Sequence, residues 1–174
     1  MENKHSVFLS YYHNRDECWR QYFEQLFGNL FINKSVKIGD ISKKLNAQSV
    51  REYIYNNYIF GVSILVVLVG EKTYCRKHID WEISGALMQN TGNASGLVGL
   101  CLPTHPNYKQ GHYNFDIIPP RLVDNIKSGY AQIYDWTEDE NTVAKWIEEA
   151  AKLRINQRHF INNSRPLIKR NRCK

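Results

Sequence analysis

The sequence predicts an α/β fold with a five-stranded, mainly parallel sheet, and three observations support this prediction. Residues 62–69 are mostly apolar, rich in Val and Leu, and bounded by Gly61 and Gly70, which is typical of a strand buried on both faces. An amphipathic helix follows this strand after a short polar loop. Strand and helix patterns alternate along almost the whole chain, which indicates parallel strands joined by helices.

Five short apolar segments have the composition of strands. Each has eight residues or fewer, which suits a strand better than a helix, and most carry β-branched or aromatic residues. The second is weak, and Pro103 closes the fourth. The predicted strands span residues 6–10, 36–38, 62–69, 97–102 and 130–134.

Four segments between these strands repeat apolar residues at helical spacing. In the first, five large apolar residues from Trp19 to Leu30 recur at i, i+4, i+7, i+8 and i+11, which is typical of an amphipathic helix. Thr137 is predicted to cap the last helix, ahead of Glu140. The predicted helices lie within residues 19–30, 47–58, 75–90 and 143–150.

The segment 103–128 shows neither the helical nor the strand periodicity of apolar residues. It is rich in Pro, His, Asn and Tyr and contains consecutive prolines at 119 and 120. A connection of this length inside a compact domain is unusual, and such connections are often functional loops or lids. We therefore predict that this segment is a lid over a ligand-binding site.

The positive charge is concentrated near the end of the chain. Of 23 basic residues, against 17 acidic ones, seven fall in residues 154–174, which contain no acidic residue. Without these seven residues the chain has 16 basic and 17 acidic residues, so residues 1–153 are almost neutral. We therefore divide the chain into a domain, 1–153, and a basic tail, 154–174. The tail is interpreted as a solvated segment, a patch for an acidic protein or nucleic acid, or a group beside an anionic ligand.

The cysteine, histidine and hydropathy patterns argue against a metal-binding, a secreted or a membrane-spanning protein. Cys18, Cys75, Cys101 and Cys173 form no CxxC pair, and the six histidines form no HExxH motif, so no metal site is predicted. The first residues carry no apolar leader core, and no run is long enough to span a membrane. We therefore expect a cytoplasmic protein with free thiols, the first three at or near the core.

Glu82 is the strongest candidate for chemistry. It lies in the helix after the buried strand, beside the apolar stripe that contains Ile79 and Ile83. That helix begins at the carboxyl edge of the sheet, where open α/β folds bind ligands. A structural explanation is also open, because a carboxylate near a helix N-terminus is favoured by the dipole and could pair with His78.

The first loop, which joins the first strand to the first helix, supplies further candidates at the same edge. Ser10, Tyr11, Tyr12 and Arg15 have the chemistry to contact a ribose, a base or a phosphate. A simpler alternative is that Asn14 or Asp16 caps the helix while the tyrosines pack. Asp40, which follows the weak second strand, is predicted to close the pocket. The chain has no GxGxxG and no GxxxxGK[ST] motif.

Three blocks, VFLSYYHNRD, SILVVLVGEKTY and RKHIDWEISGAL, together resemble the TIR-like domain family. The particular match is to the TIR proteins of bacterial Thoeris anti-phage defence systems, over about residues 5 to 155. The resemblance implies a flavodoxin-like three-layer sandwich with strand order 2-1-3-4-5. It places Glu82 on the family's NAD-cleaving glutamate, and Ser10, Tyr11 and Asp16 on its first-loop motif. His78 stands where the family commonly has tryptophan.

The resemblance implies an enzyme that cleaves the nicotinamide–ribose bond of NAD, with NAD as substrate and no cofactor. Its product would be a cyclic ADP-ribose-type signal for a separate effector protein, and the resemblance also implies a phage-derived trigger and assembly into homo-oligomers. The candidate site comprises catalytic Glu82 and, for substrate binding, Ser10, Tyr11, Tyr12, Arg15, Asp40 and His78.

The alternative function is a non-catalytic interaction module, a role that flavodoxin-like folds also serve. His78 in place of tryptophan favours this alternative. A flavin-binding protein is disfavoured because the first loop lacks a Ser/Thr-rich phosphate cradle. A phosphorelay receiver is disfavoured because Ser10 and Gly70, at the ends of the first and third strands, are not aspartates. Membrane or nucleic-acid partners are not expected.

Overall fold

The computed structural model describes residues 4–35, 46–88 and 94–173 of the chain. Within these residues five strands form one sheet, in which all neighbouring strands are parallel and the order is 2-1-3-4-5. This confirms the predicted flavodoxin-like α/β fold. The strands are β1 (Ser6–Ser10), β2 (Ile32–Asn33), β3 (Ile64–Val69), β4 (Gly96–Cys101) and β5 (Ala131–Asp135).

Helices cover both faces of the sheet and make it the middle layer of a three-layer sandwich. α1 and α5 pack on one face, and α2, α3 and α4 pack on the other. A π-helical turn continues α2, and single 3-10 turns occur at Thr73–Cys75, Phe115–Ile117 and Arg158–Phe160. The helices of the described residues are α1 (His13–Phe27), α2 (Ala47–Ile54), α3 (Lys77–Ala86), α4 (Pro120–Ser128) and α5 (Glu140–Asn156).

β3 is buried along its whole length. Leu65 and Val67 pack into the layer of α2, α3 and α4, whereas Val66 and Leu68 pack into the layer of α1 and α5. Burial of each such side chain contributes about 1.5–3 kcal/mol. Because β1 and β3 are parallel neighbours, with Ser10 opposite Val67, the loops that follow them meet at one edge of the sheet.

α4 contradicts the prediction that residues 103–128 are irregular. Pro120 stands at the first helical position, where its fixed φ suits a helix and its missing N–H leaves no bond unmade. Leu122 and Val123 are buried, and Gly129, at φ 87°, ends the helix. The consecutive prolines therefore begin a helix, and the irregular part of the segment ends near residue 118.

Several element boundaries differ from the predicted ones. The second strand lies at Ile32–Asn33, and the predicted strand at 36–38 lies outside the described residues. Asp139, not Thr137, caps α5, because its carboxylate accepts a hydrogen bond from the Thr142 amide at 3.0 Å. Thr137 Oγ1 instead accepts from the Asp139 amide.

The interpretation of the C-terminal residues as a solvated tail is wrong for much of their length. Helix α5 runs past residue 153 to Asn156. Residues 161–173, which we call the C-terminal clasp, then cross α3 and α4, and their Ile168 is buried. Because the clasp covers the outer side of α3, that helix is buried almost all round, including Trp81, instead of being amphipathic.

The prediction of four free thiols is also wrong. Cys75 and Cys173 form a disulfide between residues 98 positions apart in sequence. Cys101 is free and buried, as expected, whereas Cys18 is free and exposed and does not belong to the core. Neither residue spacing nor periodicity indicated the pair, because the clasp that carries Cys173 has no periodic pattern.

Among the described residues, no helix is long and apolar enough to cross a lipid bilayer. In the same part of the chain, no group of three or more His, Cys, Asp or Glu side chains is placed to hold a metal ion.

Candidate active site

The candidate site lies at the carboxyl edge of the sheet, between the loop after β1 and the helix after β3. Ser10 is the last residue of β1, and Glu82 lies in the second turn of α3. Their side chains meet, and Ser10 Oγ donates a hydrogen bond to Glu82 Oε2. The edge of the sheet predicted from sequence is therefore the place where the two strongest candidate residues come together.

Glu82 is held in an apolar environment. Its side chain and that of Ser10 are each 1% exposed. Burial raises the pKa of Glu82 from 4.5 to about 8, and the hydrogen bond from Ser10 opposes part of this rise. A carboxyl group whose pKa is raised toward neutrality is typical of catalytic sites, and burial perturbs the pKa of structural carboxyl groups in the same direction.

Tyr11, His13 and His78 form a row of rings beside this pair. The Tyr11 ring stacks on His13 at a centroid distance of 4.3 Å, and His13 meets His78 edge-on at 5.5 Å. The Tyr11 hydroxyl donates to Glu17 at 2.5 Å, which fixes the ring. Burial, above all, and the acceptor Glu17 raise the pKa of Tyr11, so the phenol stays neutral.

His78 does not take the partner that helical spacing suggested. Its Nε2 lies 3.4 Å from the Tyr11 carbonyl oxygen, whereas Glu82 is bonded to Ser10. Burial lowers the pKa of His78 to about 4, so the imidazole is neutral at physiological pH. The predicted i, i+4 pair of Glu82 and His78 is thus replaced by separate contacts to Ser10, at the end of β1, and to Tyr11, in the loop that follows it.

The other two first-loop candidates lie nearer the rim of the site. The Tyr12 ring stands 4.1 Å from the guanidinium carbon of Arg76, a cation–π contact that joins the first loop to the start of α3. Arg15 is exposed and bonds Glu71 at 2.9 Å. Arg15 was predicted to contact substrate, but in this conformation its charge is directed to a carboxylate of the neighbouring loop.

Asp16, in the first turn of α1, contacts the loop that follows β3 and does not cap α1. The residue at the N-cap of α1 is Tyr12, whose side chain makes no capping bond. Thr73 Oγ1 donates to Asp16 Oδ2 at 3.4 Å, and the Asp16 carboxylate fills the space beside Gly70. Burial raises the pKa of Asp16 to about 6, and the bond from Thr73 opposes the rise.

The model of one protein family matches the chain. The family is described as the Thoeris protein ThsB, TIR-like domain, and the match spans residues 8–107. The chain belongs to the ThsB TIR-like family. The matched range contains Ser10, Tyr11, His78 and Glu82, and it ends before α4, α5 and the clasp.

A solved structure also resembles the chain, namely the TIR domains of the activated Roq1 resistosome directly recognizing the pathogen effector XopQ. The similarity covers 86% of this chain and 83% of that chain, at 14% identity and a TM-score of 0.39. No curated protein matches the chain.

The structure of this ThsB-type domain thus unites four of the predicted site residues: Ser10, Tyr11, His78 and Glu82. Tyr12 and Arg15 lie further out, and Asp40 lies outside the described residues. A cavity of about 330 Å³ lies elsewhere, between β5 and α5, where Gln132, Tyr134 and Lys152 help to line it. We place the candidate site at Glu82 and not in that cavity, because none of the predicted residues reaches the cavity.

Sequence reasoning missed the polar support beneath α3. Arg121 of α4 is fully buried and binds Asp80 through Nε at 2.8 Å and Nη2 at 3.2 Å. Asp80 stands two residues before Glu82, so this ion pair fixes the helix that carries the candidate catalytic group. The available signal was a second acidic residue in α3, two positions before Glu82, but its partner lay in the helix that sequence reasoning did not predict.

Proposed function

We propose that this TIR-like domain is an enzyme that cleaves the nicotinamide–ribose bond of NAD. One observation carries the proposal. Glu82 is fully buried, and its carboxyl group accepts a hydrogen bond from the Ser10 hydroxyl at the carboxyl edge of the sheet, where open α/β folds bind ligands. The family supports the placement, because the TIR resemblance assigns its NAD-cleaving glutamate to this position.

The proposed chemistry rests on a carboxylate in a low-dielectric site. Loss of nicotinamide leaves an oxocarbenium-like ribose, and a nearby carboxylate stabilises this positive charge, as in glycoside hydrolysis. Without ligand, Glu82 holds a proton up to a pH of about 8. A cationic nicotinamide close by would favour the ionised form and lower the pKa of Glu82, because opposite charges at short distance stabilise each other.

The neighbouring rings suit a cationic leaving group. We assign Tyr11 and His78 to the wall against which the nicotinamide or ribose packs, and Ser10 to the polar contact with the ribose or phosphate. The pKa of His78 is lowered to about 4, so its imidazole is neutral and does not repel the cationic ring. Tyr12 and Arg15 are assigned to the outer part of the dinucleotide.

The product depends on whether water reaches the reactive ribose. Exclusion of water favours attack by a hydroxyl or base nitrogen of the same molecule, which gives a cyclic ADP-ribose-type signal, whereas admission of water gives ADP-ribose. We assign the signal to a separate effector protein in anti-phage defence, with a phage-derived trigger and with self-association as a route to activation. NAD is the substrate, and no cofactor is invoked.

The candidate lid is now narrower than residues 103–128, because 120–128 form α4. What remains is the loop 103–118. It is braced by buried His105, whose Nε2 lies 3.0 Å from the Ile117 carbonyl oxygen. Shortening its exposed tip, residues 109–112, should shift the products from the cyclic compound toward ADP-ribose. An unchanged product ratio would exclude a lid function for this loop.

The experiment compares the wild type with Glu82→Gln in cells infected by a panel of phages. NAD-derived nucleotides in the lysates are profiled by mass spectrometry. Glu71→Gln is the matched control, because Glu71 is an exposed carboxylate at the same edge of the sheet. The proposal predicts a new ADP-ribose derivative in the wild type and in Glu71→Gln, and its absence from Glu82→Gln.

A second candidate function is a non-catalytic interaction module. The observation in its favour is that Glu82, at 1% exposure, cannot touch a substrate unless the site opens. On this account His78 and the tyrosines serve packing only. The two accounts differ in the infected cells, since an interaction module would give identical nucleotide profiles for the wild type and a well-folded Glu82→Gln.

A further inference from the structure

The C-terminal clasp is anchored to the domain by a buried cation. Arg121 binds Asp80 through Nε and Nη2, and it binds the clasp through Nη1 and Nη2. Its Nη1 donates to Asn163 Oδ1 at 2.9 Å, and its Nη2 donates to the Arg165 carbonyl at 2.7 Å. A buried guanidinium whose donors are satisfied in this way holds the clasp firmly, because loss of a clasp partner leaves an N–H donor of a buried cation without an acceptor.

The clasp is bonded directly to the helix that carries Glu82. The Trp81 indole donates to the Ile168 carbonyl at 2.9 Å, and the Ile168 amide donates to Asp80 at 2.9 Å. Ser84 donates to Asn163 at 3.0 Å. Residues on both sides of Glu82 in sequence are therefore fixed by the clasp, which presses α3 against the sheet.

The far end of the clasp reaches the start of α3, beside the candidate site. Asn171 Oδ1 accepts a hydrogen bond from the Lys77 amide at 3.0 Å and so occupies a position at the helix N-terminus. The Arg172 amide donates to the Cys75 carbonyl at 2.9 Å. Cys173 and Cys75 then form the disulfide, with their Cα atoms 5.7 Å apart.

We propose that Cys75 and Cys173 form a redox-controlled fastener, which when oxidised fixes the end of the clasp to the loop before α3. From the sequence we expect a cytoplasmic protein, and disulfides in such a reducing compartment are usually transient and redox-sensing, not permanent supports. The disulfide holds residues 171–173 against the turn Thr73–Cys75 and the first turn of α3. This first turn of α3 contacts the Tyr11 carbonyl oxygen through His78. It thereby gives the site of the proposed function a means of regulation, and only this last consequence rests on that function.

The surroundings of the two sulfur atoms set the order of the reaction. Cys75 is buried, whereas Cys173 is partly exposed, and Arg76 Nη2 lies 3.8 Å from Cys173 Sγ. A cation at this position stabilises a thiolate, which is the reactive form. Cys173 is therefore the thiol that reacts first with an oxidant from solution, and Cys75 is the resolving thiol.

The co-reactant we assign is a low-molecular-weight disulfide of the glutathione class. The Cys173 thiolate attacks one of its sulfurs, forms a mixed disulfide and releases one glutathione thiolate. Cys75, on losing its proton, attacks the Cys173 sulfur and releases the second glutathione. The two protein thiols lose two electrons and two protons in total, and the oxidised glutathione gains them. Excess reduced glutathione reverses both steps.

Reduction should loosen only part of the clasp. The contacts of Arg121 and Trp81 to residues 163–168 do not involve sulfur and remain in place. The released part is residues 169–173, together with the turn and helix start that they cover. The effect is therefore local to the loop before α3 and is distinct from unfolding of the domain.

The test uses the purified full chain in glutathione buffers that range from reducing to oxidising. Cys173→Ser is the test variant, and Cys18→Ser is the matched control because Cys18 is exposed and free. Intact mass after thiol alkylation reports the disulfide, and hydrogen exchange reports the amides of residues 73–78. We expect the wild type and Cys18→Ser to form the bond and these amides to exchange about tenfold more slowly when oxidised. Cys173→Ser should show neither change.

Two results would overturn the proposal. One is the absence of an intramolecular Cys75–Cys173 bond at the oxidising end of the series. The other is equal exchange of residues 73–78 in the oxidised and reduced wild type. Neither readout depends on NAD cleavage, so the fastener and the proposed function succeed or fail separately. A NAD-cleavage assay on the same samples tests the proposed function alone.

Discussion

Ser10 Oγ donates a hydrogen bond to Glu82 Oε2, which joins the last residue of β1 to the second turn of α3. Both side chains are buried, and the carboxyl group that accepts this bond has its pKa raised to about 8. The fold therefore supports Glu82 mainly in its protonated form. A reaction that needs the carboxylate must ionise Glu82 against the burial that raises its pKa.

The first prediction concerns stability and pH. The pKa of Glu82 is about 8 when folded and near 4.5 when unfolded, so between these values the folded state binds the extra proton. The contribution of Glu82 to stability is fully present below about pH 4.5 and is lost as the pH rises through about 8. Glu82→Gln cannot ionise and should be more stable than the wild type above pH 8, by on the order of a few kcal/mol.

Urea unfolding of both proteins from about pH 5 to about pH 9 measures this difference. The raised pKa of Asp16 is present in both proteins, so it cancels in the comparison. A constant gap between the two stability curves would contradict the burial of an ionisable Glu82.

The second prediction concerns the hydroxyl of Ser10. This bond lowers the pKa of Glu82, so Ser10→Ala should raise that pKa and move the pH dependence of NAD cleavage to higher pH. At neutral pH we expect kcat/KM to fall about 10- to 100-fold, the cost of losing a hydrogen bond to a charged group. Ser10→Thr, which keeps the hydroxyl, should recover the original pH profile. Equal profiles for the alanine and threonine variants would argue against this bond.

The third prediction concerns the close approach of Gly70 and Asp16. A Cβ added at Gly70 would lie 2.5 Å from both carboxylate oxygens of Asp16. Gly70→Ala should therefore lower the free energy of unfolding by about 1–3 kcal/mol. Gly85→Ala is the control, because its added Cβ would make only ordinary contacts of 3.8 Å or more within a helix.

A double-mutant cycle of Gly70→Ala with Asp16→Ala isolates the contact. Removal of the Asp16 carboxylate should relieve much of the cost of the alanine at 70. Additive effects in this cycle would show that the two residues do not constrain each other.

The fourth prediction concerns the ion pair that anchors the clasp. Arg121→Met leaves Asp80 buried without its cation, which should cost about 3–5 kcal/mol of stability in urea unfolding. Arg15→Met breaks the exposed pair with Glu71 and should cost less than about 1 kcal/mol. Similar costs for the two variants would contradict the assignment of Arg121 as a buried anchor.

The sheet and most of its helices could be predicted from sequence because their signals are local. The run at 62–69 and the repeat from Trp19 to Leu30 each report burial through residues that are close together in the chain. α4 was missed because the proline pair at 119 and 120 was interpreted as a break, although proline is well suited to a helix start.

The clasp could not be predicted because its contacts are between distant residues. Cys75 and Cys173 are 98 positions apart, and the hydrogen bond between Trp81 and Ile168 joins residues 87 positions apart. A segment that packs through backbone carbonyls and single side chains has no periodicity to detect. Its basic residues therefore suggested a solvated tail.

The sequence correctly predicted that Glu82 lies at the carboxyl edge of the sheet, but it did not predict which side chains surround Glu82. Its place on α3 followed from the strand–helix pattern, and its candidate role came from the TIR resemblance. Helical spacing suggested His78 as its partner, yet the bond goes to Ser10, which is distant in sequence but adjacent across the sheet edge. The raised pKa follows from complete burial, which depends on the packing of the whole domain.

The most direct test of the central claim is the release of nicotinamide from NAD in lysates of phage-infected cells. The lysates should contain equal amounts of wild-type protein or Glu82→Gln. We expect nicotinamide to be released by the wild type and lost with Glu82→Gln, since the carboxyl group of Glu82 is the proposed stabiliser of the ribose cation. Equal release from the two proteins would contradict the assignment of Glu82 as the catalytic residue.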